Sequence, residues 1–153
     1  MSDEGFVWRR RVSFGDCDPA RIAYTGRIPE FALEAIDAFW EDLLDGVNWF
    51  KMYTDQELAI PFVRMEMTFK KPVTPRAPLF CRVEPIALGN SSMTFEVTGS
   101  QDDIACFIAH FVCVFVTATN FGKISVPPPI RAKLESRFPA LCNQVSKAGS
   151  CEE

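Results

Sequence analysis

The stretch FGDCDPARIAYTGRIPEF, residues 14–31, decides how the chain is read. It places Asp16 and Asp18 directly after an alternating segment and just before a long apolar helical pattern. Upstream, Phe6, Trp8, Arg10, Val12 and Phe14 fall on one side, and Val7, Arg9, Arg11 and Ser13 on the other. That period of two predicts a strand over 6–14. Downstream, Phe31, Ala35, Phe39 and Leu43 recur at spacing four, and Ala32, Ile36, Trp40 and Leu44 widen the same face. This predicts a helix from Ile28 to Leu44, closed near Gly46. Glu30, Glu34, Asp37 and Glu41 form a narrow acidic strip on another side. A helix apolar over most of its girth belongs inside a fold.

Further along, residues 46–58 read as a loop. Val63, Met65, Met67 and Phe69 then alternate with Arg64, Glu66, Thr68 and Lys70, which predicts a strand. KPVTPRAP is a proline-rich turn. Leu79 to Ile86 and Ser92 to Thr98 read as further strands split by LGNS, and SQDD reads as a turn. The apolar run IACFIAHFVCVFVTA, residues 104–118, would extend about 50 Å if straight, so it must curve or carry a bulge. NFGK turns the chain. PPPIRAKLESRF predicts a short final helix entered through prolines, and SKAGSCEE a frayed tail. One helix followed by four or more strands on short turns is an α+β domain with an antiparallel sheet. The expected organisation is a single domain over 1–153, with a core of about 6–135 and a short helix and tail over 130–153. A strongly curved sheet would hide the helix's apolar girth.

The chain has 153 residues, 48% hydrophobic and 24% charged, with a formal net charge of −4. This balance argues against a nucleic-acid binder, which needs a basic stripe. It leaves room for an anionic small ligand held by a local basic patch. MSDEGFVWRRR opens acidic and polar, so no signal peptide is expected. The run over 104–118 is too short to span a bilayer comfortably and suits a buried strand. Six cysteines show no CxxC pair and no zinc spacing. They read as reduced cytoplasmic thiols, with Cys81, Cys106 and Cys113 inside core strands.

Several mechanisms lack their residues. The sole histidine, His110, lies within the apolar strand and reads as structural. GxSxG, the P-loop and GxGxxG are all missing from the sequence. In an extended segment Asp16 and Asp18 would point the same way, as a DxD metal pair does, but no further ligand cluster stands nearby. Asp18 has two readings. It either closes an Asx turn before Pro19, or it works beside the N-terminus of the buried helix. Free N–H groups there can polarise a carbonyl, with a carboxylate as general base on water or as nucleophile. That combination suits acyl transfer.

FGDCDPARIAY, residues 14–24, resembles the signature of the 4-hydroxybenzoyl-CoA thioesterase family, of hot-dog fold. That pattern runs Phe-Gly-Asp-x-Asp-Pro-Ala-Gly-Ile, then a small apolar residue and aromatics. The layout is similar over most of residues 6–135. The resemblance implies a hot-dog sheet wrapped around one long helix, and an acyl-CoA thioesterase without metal or redox cofactor. It implies a homodimer or homotetramer with sites at the dimer interface, with an acyl carrier protein as a further candidate partner. The family's catalytic aspartate corresponds to Asp18, and its carbonyl-polarising amide to Thr25, beside Tyr24; a related branch of the fold places the acid on the helix, and Glu34 is the nearest candidate for that alternative. The substrate-binding candidates are Pro19, Arg21, Lys70, Lys71, Asn90 and Ser92, and Lys70, Lys71, Arg76 and Arg82 are this chain's own candidates for the coenzyme A phosphates. Phe14, Phe31, Phe62 and Met65 are candidates for the acyl pocket, each with core packing as the plain alternative.

The chain departs from the family pattern at three places. Arg21 stands where the family has Gly. Tyr24, Thr25, Gly26 and Arg27 replace aromatic-Tyr-Pro-Asn. Gly89, Asn90 and Ser91 stand where some members carry a basic cluster for the nucleotide phosphates. Arg21 and the altered TGRI segment, residues 25–28, motivate a second reading, a non-catalytic acyl-CoA or acyl-carrier binding module on the same fold.

Overall fold

The structure of the protein, a computed structural model, describes residues 5–144. The expected frayed tail and Cys151 lie outside those residues. In chain order the elements are β1 (Phe6–Arg10), α1 (Ile28–Leu43), α2 (Trp49–Gln56), β2 (Leu58–Ala59), β3 (Phe62–Phe69), β4 (Leu79–Leu88), β5 (Ser92–Gln101), β6 (Ile104–Val114), β7 (Val116–Thr117) and α3 (Pro128–Arg137). Five strands form one antiparallel sheet in the order β1-β4-β5-β6-β3, and β2 pairs with β7 in a separate small ribbon.

α1 forms where the spacing-four pattern places it. Pro29 sits in its first turn, where a missing N–H costs nothing. Phe31, Ala32, Ala35, Ile36, Phe39, Trp40 and Leu43 are buried on it. The chain leaves the helix through Asp45 and Gly46, both at positive φ, and the Gly46 amide donates to the Glu41 carbonyl at 2.8 Å. The sheet meets α1 with one face. Along β5, Met93, Phe95, Val97 and Gly99 are buried, while Thr94, Glu96 and Thr98 are half-buried on the other face. Phe39 packs edge-on against Phe95, with ring centroids 5.4 Å apart. A Cβ on Gly99 would lie 2.1 Å from the Phe107 ring, so glycine lets that ring cross β5.

Turn chemistry sets the register. Asp102 and Asp103, both at positive φ, close the β5–β6 hairpin in two residues. The long apolar run bends as its length demands: β6 ends at Val114, and the chain leaves the large sheet to pair as β7 with β2. Cys81, Cys106 and Cys113 are buried and unpaired. Burial pushes the Cys81 and Cys113 thiols up to about 12, so both are inert. Among the described residues no helix is long and apolar enough to cross a membrane.

Four expectations need correction. β1 ends at Arg10 rather than running to residue 14, because the Asp16 carboxylate accepts from the Ser13 amide and turns residues 14–16 into a 3-10 helix. Phe14 is therefore 97% exposed instead of continuing the inner face. The loop over 46–58 contains α2. Asn48 caps it by accepting from the Lys51 amide, and Met52 is its buried anchor. β4 and β5 run on to Leu88 and Gln101. His110 faces outward from its strand, 40% exposed at the side chain, with Nε2 2.9 Å from Glu96 Oε2.

Candidate active site

The two acids of DCD do different things. Asp16 is 3% exposed. Its Oδ2 accepts from Arg10 Nη1 at 2.6 Å and from the Ser13 amide at 2.8 Å, and its Oδ1 accepts from Arg27 Nη2 at 2.7 Å. Burial pushes its carboxyl up, but Arg10, the Ser13 amide and Arg27 outweigh that and hold it well below the usual carboxylate range. Arg10 also donates from Nε to Glu34 Oε2 at 2.8 Å and lies over the Phe31 ring. Arg27 pairs with Glu30. This ion cluster ties β1, the DCD turn and the first two turns of α1 together. The pair Asp16 and Asp18 does not act as one unit: Asp16 ends the 3-10 turn and binds Arg10 and Arg27, whereas Asp18 accepts from the Ala20 amide.

Asp18 is half-buried and opens a tight turn. Its carbonyl accepts from the Arg21 amide at 2.9 Å, and its Oδ1 accepts from the Ala20 amide at 2.8 Å. That is an Asx turn, and Pro19 supplies the fixed φ it favours. Among the described residues Oδ2 has no partner. Arg21 has φ 67, the left-handed region that a glycine adopts at no cost. The turn thus keeps its shape with arginine in place. Its two arms run side by side: the Asp18 amide donates to the Ile22 carbonyl at 3.0 Å, and Cys17 bridges Ala23.

Two residues beyond that bridge, Thr25–Arg27 form a 3-10 turn that runs straight into α1. Among the described residues the amides of Thr25 and Gly26 meet no acceptor. They head the helical stack, where donors are orphaned by construction. The exposed Tyr24 ring lies on Gly26, where a Cβ would sit 2.6 Å from its Cε1. A cavity of about 270 Å³ opens here, lined by Ile22, Thr25, Ile28, Phe69, Lys70 and Lys71 among others. The amides of Lys70 and Lys71 both donate to the Cys106 carbonyl, at 2.7 and 3.1 Å, which fixes the backbone of both lysines at the cavity wall. Thr25, Lys70 and Lys71 are thus brought together.

A second cavity, about 540 Å³, lies between α1, α2 and the start of β3. Ile36, Trp40, Met52, Tyr53 and Phe62 make it apolar, and Glu34 and Asp37 enter from α1. Burial raises the Asp37 carboxyl, although the Trp49 amide donates to its Oδ1 at 3.0 Å. Three of the four acids in the strip are therefore bound to partners: Glu30 to Arg27, Glu34 to Arg10 and Asp37 to the start of α2.

Other predicted residues lie elsewhere. Asn90 and Ser92 sit at the β4–β5 turn, where the Asn90 carbonyl accepts from the Val126 amide at 2.8 Å. Ser92 stands opposite Val114, whereas Gly99 stands opposite Phe107 at the other end of β5. Within one chain they are roughly 20 Å from the Lys70 end. Arg82 pairs with Glu84. Phe31 is core, Phe62 lines the larger cavity, and Met65 is 50% exposed. Sequence reasoning missed Gln101, which is buried and clamps the 74–77 loop. Its Oε1 accepts from the Thr74 amide, and its Nε2 donates to the carbonyls of Thr74 and Ala77. A lone polar residue ending a buried alternation was the available signal.

A curved antiparallel sheet packed around one long helix is the hot-dog arrangement. The chain belongs to the thioesterase-like superfamily, whose sequence profile matches residues 12–134. A thioesterase-superfamily protein from Jannaschia sp. CCS1 is 48% identical, with a TM-score of 0.85 over 88% of this chain and 94% of that one. Two further structures share the fold at lower identity. A 1,4-dihydroxy-2-naphthoyl-CoA thioesterase from Synechocystis is 17% identical, with a TM-score of 0.76 over 85% of this chain and 95% of that one. A DHNA-CoA thioesterase from Staphylococcus aureus is 12% identical, with a TM-score of 0.78 over 92% and 95%. No curated protein matches the chain significantly.

Proposed function

We propose that the protein hydrolyses an acyl- or aroyl-CoA thioester to the free acid and coenzyme A. The observation that carries this reading is the acceptor-free amide of Thr25, a residue that follows the Asp18 turn and lines a cavity with Lys70 and Lys71, with the acceptor-free Gly26 amide next in the chain. A thioester carbonyl seated on the Thr25 amide gains hydrogen bonding as its oxygen turns anionic. Asp18 acts as general base on water or as nucleophile, with Oδ1 steadied by the Ala20 amide and Oδ2 left for the reaction. The two routes break the same C–S bond and release the same thiol. No metal or redox cofactor enters either. The apolar 540 Å³ cavity has the lining to take an uncharged acyl or aryl group, but Phe62 sets it at the Ser92 end of the sheet, away from Lys70 within one chain.

A second copy of the chain completes this arrangement. β3 is an edge strand whose Met65 and Phe69 face the helix side yet stay 50% and 52% exposed, and Val63 at its bulge is 61% exposed. Pairing along that edge would cover them. Glu34 is the weaker candidate acid, because its carboxylate is already held by Arg10. The binding-module reading is favoured by the altered Tyr24–Arg27 segment alone.

Thiol release from a panel of short, long and aromatic acyl-CoAs tests the proposal, with wild type beside Asp18→Asn. Asparagine keeps the Asx turn, so folding should hold while turnover falls roughly 10²–10⁴-fold. Full activity in Asp18→Asn would end the role of Asp18. Tight acyl-CoA binding by calorimetry without hydrolysis by either protein would favour the binding module.

A further inference from the structure

The run Arg9–Arg10–Arg11 is sorted by strand alternation. Arg10 turns inward to Asp16, and Arg9 and Arg11 turn outward. They line a third groove, about 580 Å³, with Phe14 and Arg76 and with Pro75 and Pro78 across from them. Among the described residues, Arg9, Arg11 and Arg76 form no ion pair and no side-chain hydrogen bond. Three guanidiniums without a carboxylate partner among the described residues therefore stand around one groove. Phe14 stands at the same groove, 97% exposed, with a free ring face.

Guanidinium groups in a cluster recognise phosphate oxygens by paired N–H donors. An exposed aromatic face beside them stacks a nucleobase. The groove and the Thr25 cavity share no lining residue, but two chain segments connect them. Phe14 belongs to the DCD turn, and its carbonyl accepts from the Cys17 amide, one residue before Asp18. On the other side, Val73 lines the Thr25 cavity, and its carbonyl accepts from the Ala23 amide. Pro75, two residues on and at most about 7 Å away in Cα, lines the groove. A flexible arm of pantetheine type spans such a gap. Gln101 holds the intervening segment rigid.

We propose that the groove of Arg9, Arg11, Phe14 and Arg76 binds the phosphorylated adenosine end of a coenzyme A thioester whose acyl carbon lies at Thr25. This rests on the thioesterase reading for its substrate, and it supplies the phosphate contacts missing from Gly89–Ser91. The adenine stacks on Phe14, and the arginines take the 3′-phosphate and the diphosphate.

The test uses adenosine 3′,5′-bisphosphate and AMP as calorimetric probes on the full chain, wild type beside Arg9→Gln/Arg11→Gln/Arg76→Gln and Phe14→Ala. All four side chains are exposed, and thermal unfolding confirms that the variants fold. The bisphosphate should bind at least tenfold more tightly than AMP to wild type, and the triple variant should lose at least tenfold. In turnover, KM for an acyl-CoA should rise more than tenfold in the triple variant relative to KM for the same acyl group on N-acetylcysteamine, which lacks the nucleotide. Unchanged bisphosphate affinity in both variants, or equal KM changes for the two thioesters, overturns the groove assignment. Bisphosphate binding that the arginine changes abolish, in a protein that cleaves no thioester, upholds the nucleotide site and sinks the thioesterase reading instead.

Discussion

Replacing Asp16 by asparagine tests the division of labour between the two acids of the DCD turn. The substitution keeps shape and removes one charge from a site 4% exposed at the side chain. Arg10 and Arg27 would then face each other across an amide. Breaking a buried pair in this way costs about 3–5 kcal/mol. Arg10 retains Glu34, and Arg27 is a third exposed, so the lower end, about 3 kcal/mol, is expected. For a domain of this size that lowers Tm by roughly 6–12 °C. Urea unfolding followed by circular dichroism at pH 7 gives the number directly. The pH dependence gives a second, independent check. Asp16 titrates below its unfolded value, so the unfolded chain binds the proton first on acidification. Its contribution is therefore complete above the ordinary carboxylate range and is lost as pH falls from about 4 toward the depressed folded value. The gap between wild type and Asp16→Asn should narrow over that same window. A loss below 1 kcal/mol at pH 7 with unchanged m-value, or a gap that widens on acidification, refutes the structural role assigned to Asp16.

Two other substitutions probe the walls of the site. Gln101→Ala removes three hydrogen bonds from the 74–77 loop and should cost about 2–3 kcal/mol, with faster proteolysis between Thr74 and Pro78 as the local signature. Intact proteolytic resistance would mean that the loop is held by something else. Arg21→Val forces a β-branched residue to φ 67 and should cost about 1–2 kcal/mol, whereas Arg21→Gly should stay within roughly 0.5 kcal/mol of wild type. Equal stability of the two variants would show that the turn relaxes out of the left-handed region.

Periodicity carried most of the fold. α1 could be read because eight buried residues recur on one face, and β5 because its burial alternates without interruption. The reading failed where a side chain, not a pattern, decides the backbone. Asp16 stops β1 by capturing the Ser13 amide, which no period of two announces. α2 was lost because its apolar face is short, with Trp49, Phe50 and Tyr53 exposed and Met52 alone buried. The DCD motif points to the proposed site, but it gives no means of separating a fold-holding acid from a free one. That distinction needed Arg10 and Arg27, which lie 6 and 11 residues from Asp16 in sequence. Asn90 and Ser92 show the converse limit. Their role rests on resemblance, and the topology of one chain sets them far from Thr25.

The alternation of Arg9, Arg10 and Arg11 makes this short strand intolerant of length change. β1 sits at an edge of the sheet and pairs with β4 alone, from Phe6 opposite Val83 to Arg10 opposite Leu79. Deleting one residue before Arg10 would reverse which arginines point inward. Two guanidiniums would then compete for one buried carboxylate while the third turned to solvent. Drift in this segment is thus confined to exchange of residues. Insertions and deletions that an ordinary edge strand absorbs would cost the protein its acid-bearing turn.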